Sequence, residues 1–396
     1  MRILVISSFL PYPLHSGGHV RLYNLIARLS KRHDITLICE KRISQRKEDI
    51  EEVSKICKSV IVVPRRKQWS AGNIFKTGFS LNSFLVTGHT NQQFKSKIKE
   101  AIDKEDFDLI HVETSYVFQN LPLNIKIPVV LVEHNLEYMV YRRFAGNAPL
   151  PLRPFLYLDT VKLEREERNL WRKVDKLIAV SEEEGKVMNA DAVISNGVDT
   201  KKFQISNVKS QISNAEQRIL FIGDFRWLQN RDSAEFILRS IWPKLSGQLS
   251  MVTGQLELWI VGRKIPDYIK QMGDRNVIFD ENSPSDTYEI YKKSKILLAP
   301  IRVGGGTSFK ILEAMASGVP VVTTQLGNVG IGAKNREAVL IASTGEEFAM
   351  LLAEIIKNEE LYERISKNAR ILIEKNFDWD IIAAKLEKVY EEAKGN

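Results

Sequence analysis

Residues 303–324 read VGGGTSFKILEAMASGVPVVTT and bring together the groups that binding a phosphorylated ligand requires. Gly304, Gly305 and Gly306 let backbone N–H groups approach a ligand without Cβ clashes. Thr307 to Ser317 has helical patterning. Unpaired N–H groups and the positive end of a helix dipole are therefore expected just behind the glycines, with Ser308 at the turn. Lys310 would sit in the first helical turn, where a cation opposes the dipole at a cost of about 0.3–1 kcal/mol. An anion in front of it would offset that cost. Glu313 lies three residues on and shares a face with Lys310. One can hold a phosphate while the other accepts hydrogen bonds from a ribose diol. An ordinary helix with a solvated Lys–Glu pair fits the same residues, because short glycine runs are weak signals.

A second candidate is His134. The run VVLVE at 129–133 reads as a strand that leads straight into His134 and Asn135. A histidine at the carboxyl end of a central parallel strand points into the crevice where such sheets bind ligands. Glu133 stands beside it, and Glu113, after the preceding strand, is a secondary candidate.

The elements that must position these groups follow a β–α rhythm. Buried-strand patterns occur at 2–8, 34–39, 60–64, 107–111, 129–133 and 175–181, and again at 218–223, 256–261, 276–279, 296–300 and 319–323. Helical periods lie at 20–31, the second half of 151–171, 346–357, 361–375 and 381–394. After the first strand comes the loop FLPYPLHSGGH, with paired Gly17 and Gly18. No Gly-x-Gly-x-x-Gly follows that strand, which removes the dinucleotide fingerprint of a dehydrogenase. Residues 201–217 are polar and poor in apolar side chains, as a linker would be.

Composition limits the classes. The 396 residues are 44% hydrophobic and 27% charged, which favours two globular domains. A net charge of +8 suits anionic partners. The two cysteines, Cys39 and Cys57, sit in apolar surroundings, which points to buried thiols and neither a disulfide framework nor a zinc site. No run has the roughly 20 apolar residues of a membrane span, and residues 3–6 are too short for a signal-peptide core. The expected location is the cytoplasm. In residues 65–89 basic side chains alternate with Trp69, Phe75, Phe79 and Phe84. Such a stretch can lie on an anionic membrane surface or cover a core. No nucleic-acid-binding module accompanies the charge.

The stretch KILEAMASGVPVVTT resembles the donor-site signature of retaining family-4 glycosyltransferases with the GT-B fold. The family pattern is Glu-x7-Glu running into a Leu-Glu-Ala-Met-Ala helix and then Gly-x-Pro-Val-Val. Glu313 matches the second Glu, which the family places on the donor ribose. Gly305 stands where the first Glu would contact the donor sugar, and GGGTSFK is similar to a glycine-rich subset. The string ISNGVDTKKF at 194–203 resembles the element that closes the N-domain. At 223–229 the family's diphosphate-gripping Arg and Lys are replaced by Asp224 and Gln229, leaving Arg226 or Lys310 to supply the charge.

The resemblance implies an α/β GT-B protein. Residues 1–200, with a C-terminal helix at 378–396 crossing back, would form a Rossmann-like acceptor domain, and residues 201–377 a donor domain facing it across a cleft. It implies metal-independent, retaining transfer from a nucleotide diphosphate-sugar, with no further cofactor, to a glycan, lipid-linked glycan or small molecule. His134 and Glu133 would lie near the reacting carbon. Gly17 and Gly18 would close over the diphosphate, with the residues from Gly304 to Ser308, Lys310 and Arg226 around it. Peripheral contact with the inner membrane face fits this picture, and nucleic acid does not. A sugar-nucleotide epimerase or hydrolase on the same fold, or a non-catalytic nucleotide-binding subunit, would share most of these residues.

Overall fold

The computed structural model describes residues 1–204, 218–249, 256–282, 287–303 and 306–395. Gly304, Gly305 and most of the expected linker lie outside the described residues. The chain divides into two compact units, Met1–Ile194 with Ala383–Asn396, and Ser195–Ile382. The Asn-Gly-Val-Asp string, expected at the end of the first domain, belongs to the second. There Val198 N–H donates to Phe377 O (2.8 Å) and Trp379 N–H to Val198 O (3.2 Å). A side chain at Gly197 would lie 2.8 Å from the buried Trp379 ring.

The first unit is built on seven strands: β1 (Arg2–Ser7), β2 (Asp34–Lys41), β3 (Ser59–Pro64), β4 (Leu109–Glu113), β5 (Val129–Glu133), β6 (Lys176–Ala179) and β7 (Ala192–Val193). They pair in the order β3-β2-β1-β4-β5-β6-β7, and each pairing is parallel. Both faces are covered by helices: α1 (Gly17–Leu29), α2 (Lys47–Ser54), α3 (Ala71–Gly78), α4 (Phe84–His89), α5 (Gln92–Lys104), α6 (Glu137–Asn147), α7 (Arg153–Trp171) and α8 (Glu182–Met188). The strands therefore read as continuous apolar runs, as β1 does with Ile3, Leu4, Val5 and Ile6 all at or near zero exposure.

Gly17 and Gly18 are not in a loop, as expected, but are the first two residues of α1. The apolar period of α1 begins at Val20, so the sequence pattern places its start too late. Residues 65–89 are not one segment but carry two short helices, α3 and α4. Helix α7 starts at Arg153, well before the charged half that shows its period. Cys39 is fully buried and Cys57 only half-buried.

Among the described residues the second unit has six parallel strands, β8 (Arg218–Ile222), β9 (Glu257–Val261), β10 (Val277–Asp280), β11 (Ile296–Ala299), β12 (Val321–Thr323) and β13 (Leu340–Ile341), in the order β10-β9-β8-β11-β12-β13. Its helices are α9 (Leu228–Phe236), α10 (Trp242–Leu249), α11 (Asp267–Lys270), α12 (Tyr288–Lys292), α13 (Phe309–Ala316), α14 (Gln325–Asn328), α15 (Gly345–Lys357) and α16 (Glu359–Asn376). The last helix, α17 (Trp379–Gly395), starts in this unit and continues with the first one from Ala383. Each sheet reverses its strand order once, between β1 and β4 and between β8 and β11. Open α/β sheets bind ligands beyond the carboxyl ends of the strands at such switch points. No helix among the described residues is long and apolar enough to cross a membrane.

The pairing of β8 with β9 continues past both strands. Gly223 N–H donates to Val261 O (3.0 Å) and Phe225 N–H to Arg263 O (3.0 Å). A Cβ at Gly262 would lie 1.8 Å from Gly223 O, a backbone atom that cannot swing aside. Gly262→Ala is expected to destabilise the fold by about 1–3 kcal/mol, the cost of overpacking, read as a lower urea midpoint. An unchanged midpoint would mean that the strand ends part at no cost.

Candidate functional site

In the first unit the polar groups at the strand ends form a chain of hydrogen bonds. Glu113 ends β4 with no exposed surface. One of its carboxylate oxygens lies 2.5 Å from His134 Nε2 and the other 2.5 Å from His111 Nε2. His111 Nδ1 is 2.6 Å from the Tyr390 hydroxyl of α17. Burial alone would raise the Glu113 pKa. The charge of His134 and hydrogen bonds to both histidines outweigh it and hold the carboxyl well below its usual range. An ionised, acceptor-only carboxylate between two imidazoles orients both rings.

His134 is thus held by one edge, and its other edge faces the start of α1. A Cβ at Gly18 would lie 3.2 Å from His134 Cε1 and 3.3 Å from Nδ1. The Phe9 ring lies against the same histidine and against His19, whose ring is 2.5 Å from Ser16 Oγ. Burial, reinforced by Arg42, His15 and His134, pushes the His19 pKa down to about 4, so it is neutral near pH 7.

The structure does not bring Glu133 to His134. Glu133 has no exposed surface, accepts from Ser115 N–H (3.1 Å) and lies 3.2 Å from Trp171 Nε1. Burial raises its proton affinity. Adjacent residues at a strand end point to opposite faces. Glu133 therefore anchors the turn after β4 and the end of α7, and Glu113 is the carboxylate that reaches His134. The sequence signal for Glu113 is its place at the end of the strand next to the switch point. His111 and Tyr390 carry no local signal.

In the second unit the loop after β11 leads into α13. Gly306 has φ +74°, in the left-handed region. A Cβ at Gly330 would lie 2.8 Å from the carbonyl of Gly306 and from Thr307 N, so the two backbone segments touch. Buried Thr307 donates to Gly330 O (3.2 Å), and its own carbonyl accepts from Asn196 Nδ2 (3.2 Å). Ser308 is the N-cap of α13 but makes no side-chain hydrogen bond to the helix.

Lys310 and Glu313 leave α13 towards different partners. Lys310 Nζ donates to Asn230 Oδ1 (2.8 Å) and lies 4.8 Å from the centre of the Phe221 ring. Asn230 in turn donates to Asp224 O (2.8 Å). Burial pushes the Lys310 pKa down to about 7. Glu313 accepts from Thr287 Oγ1 (3.0 Å) and interacts with the buried Tyr291 hydroxyl of α12, which also donates to Lys310 O (3.2 Å). Arg226 is exposed and paired with Asp224, Nε to Oδ1 at 2.9 Å. The residue in the family's arginine slot therefore neutralises the arginine two positions on. Lys310 is the better placed of the two candidate cations, being partly buried beside the helix N-terminus. Gln229, in the lysine slot, is exposed.

Comparison with known proteins identifies the family. Residues 15–202 match the sequence profile described as Glycosyltransferase Family 4, and residues 216–358 the profile described as Glycosyl transferases group 1. An uncharacterised 44.6 kDa protein in the cps region of Klebsiella pneumoniae is 24% identical over 95% of this chain and 96% of its own. A capsular polysaccharide biosynthesis glycosyltransferase of Staphylococcus aureus is 28% identical over 50% of this chain and 53% of its own. Among solved structures, sucrose-phosphate synthase from Thermosynechococcus elongatus superposes with a TM-score of 0.69 at 16% identity, covering 99% of both chains. HepE from Anabaena, solved with UDP and glucose, superposes with a TM-score of 0.65 at 14% identity, covering 99% of this chain and 100% of that one. With two parallel α/β units of the GT-B kind and family profiles matching both, the chain is a glycosyltransferase of the family-4 type.

Proposed function

We propose that the enzyme transfers a sugar from a nucleotide diphosphate-sugar to a hydroxyl of a glycan or lipid-linked glycan, with retention at the anomeric carbon. The observation that carries this reading is the α13 N-terminus. It joins an uncapped helix end, a glycine in the left-handed region and a lysine made reactive to charge by burial, all at the switch point of a parallel sheet. In the reaction the bond from the anomeric carbon to the diphosphate breaks, a bond to the acceptor oxygen forms, and the acceptor hydroxyl's proton passes to the departing phosphate oxygen. Negative charge then grows on the departing nucleoside diphosphate. Fixed N–H dipoles and Lys310 stabilise that charge without reorganising. Glu313, held by Thr287 and Tyr291, takes the ribose hydroxyls. His134, oriented by Glu113, lies beside the sugar and acceptor. Charge neutralisation is assigned to protein groups, with no metal and no further cofactor.

The solved relative bound to UDP and glucose and the capsular polysaccharide transferase favour a uridine diphosphate-sugar and a cell-envelope glycan. The same reading places the enzyme in the cytoplasm, in peripheral contact with the inner membrane face.

Three measurements test it. At about 100 times its dissociation constant, the correct nucleoside diphosphate is expected to stabilise the protein by about 2.7 kcal/mol in a thermal-shift panel of UDP, GDP and ADP. No shift with any of them counts against the donor site.

Lys310 supplies a pH signature. Its pKa near 7 lies below the ordinary lysine range, so without ligand the fold gains stability as pH rises from 7 towards that range. A bound diphosphate favours the ammonium form and raises the pKa again. At pH 8, binding is therefore expected to take up part of a proton, seen as a binding enthalpy that varies with buffer ionisation enthalpy. Lys310→Ala should abolish the uptake and weaken binding by about 1.5–3 kcal/mol. Uptake that persists in the variant would remove Lys310 from the site.

His134→Ala is expected to lower kcat by about 10²-fold with donor affinity nearly unchanged, and to lower the melting temperature, because one oxygen of the buried Glu113 carboxylate loses its partner. A variant with normal kcat would make the Glu113–His134 pair structural only.

A further inference from the structure

Helix α3 is inside out. Its buried residues are polar, Asn73 and Thr77, and its apolar residues face solvent, with Phe75 67% exposed. Trp69 before it and Phe79 after it are 71% and 83% exposed. The polar side makes specific bonds: Asn73 Nδ2 donates to Lys67 O (3.1 Å) and Gln68 O (3.0 Å), and Thr77 Oγ1 to Asn73 O (2.8 Å). The outward aromatic face is therefore a fixed feature of the fold and not a frayed segment.

Helix α7 fixes this platform. Lys162 Nζ donates to Thr77 O (2.7 Å) and Ser80 O (2.9 Å), and Arg165 to Leu81 O (3.0 Å). Asp159 and Glu166 accept from Phe84 N–H (2.8 Å) and Ser83 N–H (3.1 Å). The first half of α7 also turns apolar residues outward at a spacing of three. Phe155, Leu158 and Val161 are 74%, 59% and 61% exposed. Helix α6, packed on α7, adds exposed Phe144.

The exposed charge around these residues is mainly basic, and the acids of α7 that reach them, Asp159 and Glu166, are part-buried and taken up by backbone N–H groups. Residues 65–89 contain Arg65, Arg66, Lys67 and Lys76 and no acidic residue, and residues 138–158 contain Arg142, Arg143 and Arg153 and no acidic residue. Large apolar side chains standing among basic ones match a lipid interface, where rings enter the acyl boundary and cations meet anionic headgroups. A second copy of this chain, paired face to face, would set the seven basic residues of each patch against the other seven. That argues against self-association as the use of this surface.

We propose that the outward faces of α3, α6 and α7 form the surface by which the enzyme docks on an anionic lipid bilayer. This identifies the part of the molecule responsible for the membrane contact included in the function proposed above, on which it rests. Its test uses no substrate, so the two can fail separately.

The experiment is vesicle flotation of the full chain, with phosphatidylcholine alone and with about 30% phosphatidylglycerol added. Preference for the anionic vesicles by about tenfold or more, falling with added salt, is expected. Phe75→Ala combined with Phe79→Ala, and separately Lys76→Glu combined with Arg143→Glu, should each reduce binding about tenfold. All four residues are exposed, so the melting temperature and the nucleotide-induced shift should not change. Three results would overturn the proposal: no flotation with either vesicle, flotation unaffected by both variants, or a dimer in lipid-free solution that the aromatic variant dissolves. A normal nucleotide shift beside failed flotation would leave the transferase reading intact.

Discussion

Parallel strands cannot be joined by tight turns, so each pair needs a crossover, and the crossovers here cover both faces of both sheets. Only the strand ends remain for chemistry. In the first unit the carboxyl ends of β4 and β5 deliver Glu113 and His134, and the end of β1 leads to α1, whose Gly18 abuts the His134 ring. In the second, the end of β8 leads to Asp224 and Asn230, and the end of β11 to Gly306 and α13. Each group stands at the switch point of its own sheet, where neighbouring crossovers leave in opposite directions and open a crevice.

The electrostatics of the two sites are opposite in kind. Glu113 has no exposed surface, yet it stays ionised because two imidazoles face it. Desolvation is the largest influence on it, and it is outweighed by partners placed at hydrogen-bonding distance. Lys310 has desolvation without an opposing carboxylate, and its proton is held loosely. A buried cation lacking a counter-ion is costly to a fold unless something else supplies the charge. The anionic ligand proposed for the helix N-terminus would do so, whereas the exposed Arg226, already matched by Asp224, does not need one.

Departures from local propensity mark the same functional logic. Helix α3 turns its apolar side to water while its polar side is hydrogen-bonded to the protein. Such an inversion conflicts with the burial that stabilises the rest of the molecule, and conflicts of this kind concentrate at sites of use. The aromatic and basic residues are visible in residues 65–89, but their outward direction is not. The apolar stripe of α7 passes unnoticed in the sequence because its charged second half dominates the pattern.

Residue order by itself determined the longer strands, since parallel strands buried on both faces are continuous apolar runs, but not the two-residue edge strands β7 and β13, which are too short to show such a run. It also located α13, because the glycines, Lys310 and Glu313 lie within one short segment whose chemistry is local. Tertiary structure alone decided the partners. Glu113 reaches His134 across 21 residues, and His111 reaches Tyr390 across 279, contacts that strand pairing and a returning C-terminal helix create. Glu133, adjacent to His134 in the chain, is turned away from it by the alternation of a β-strand. Proximity in sequence governs helical neighbours one turn apart, whereas at the ends of a sheet the neighbours are residues of different strands.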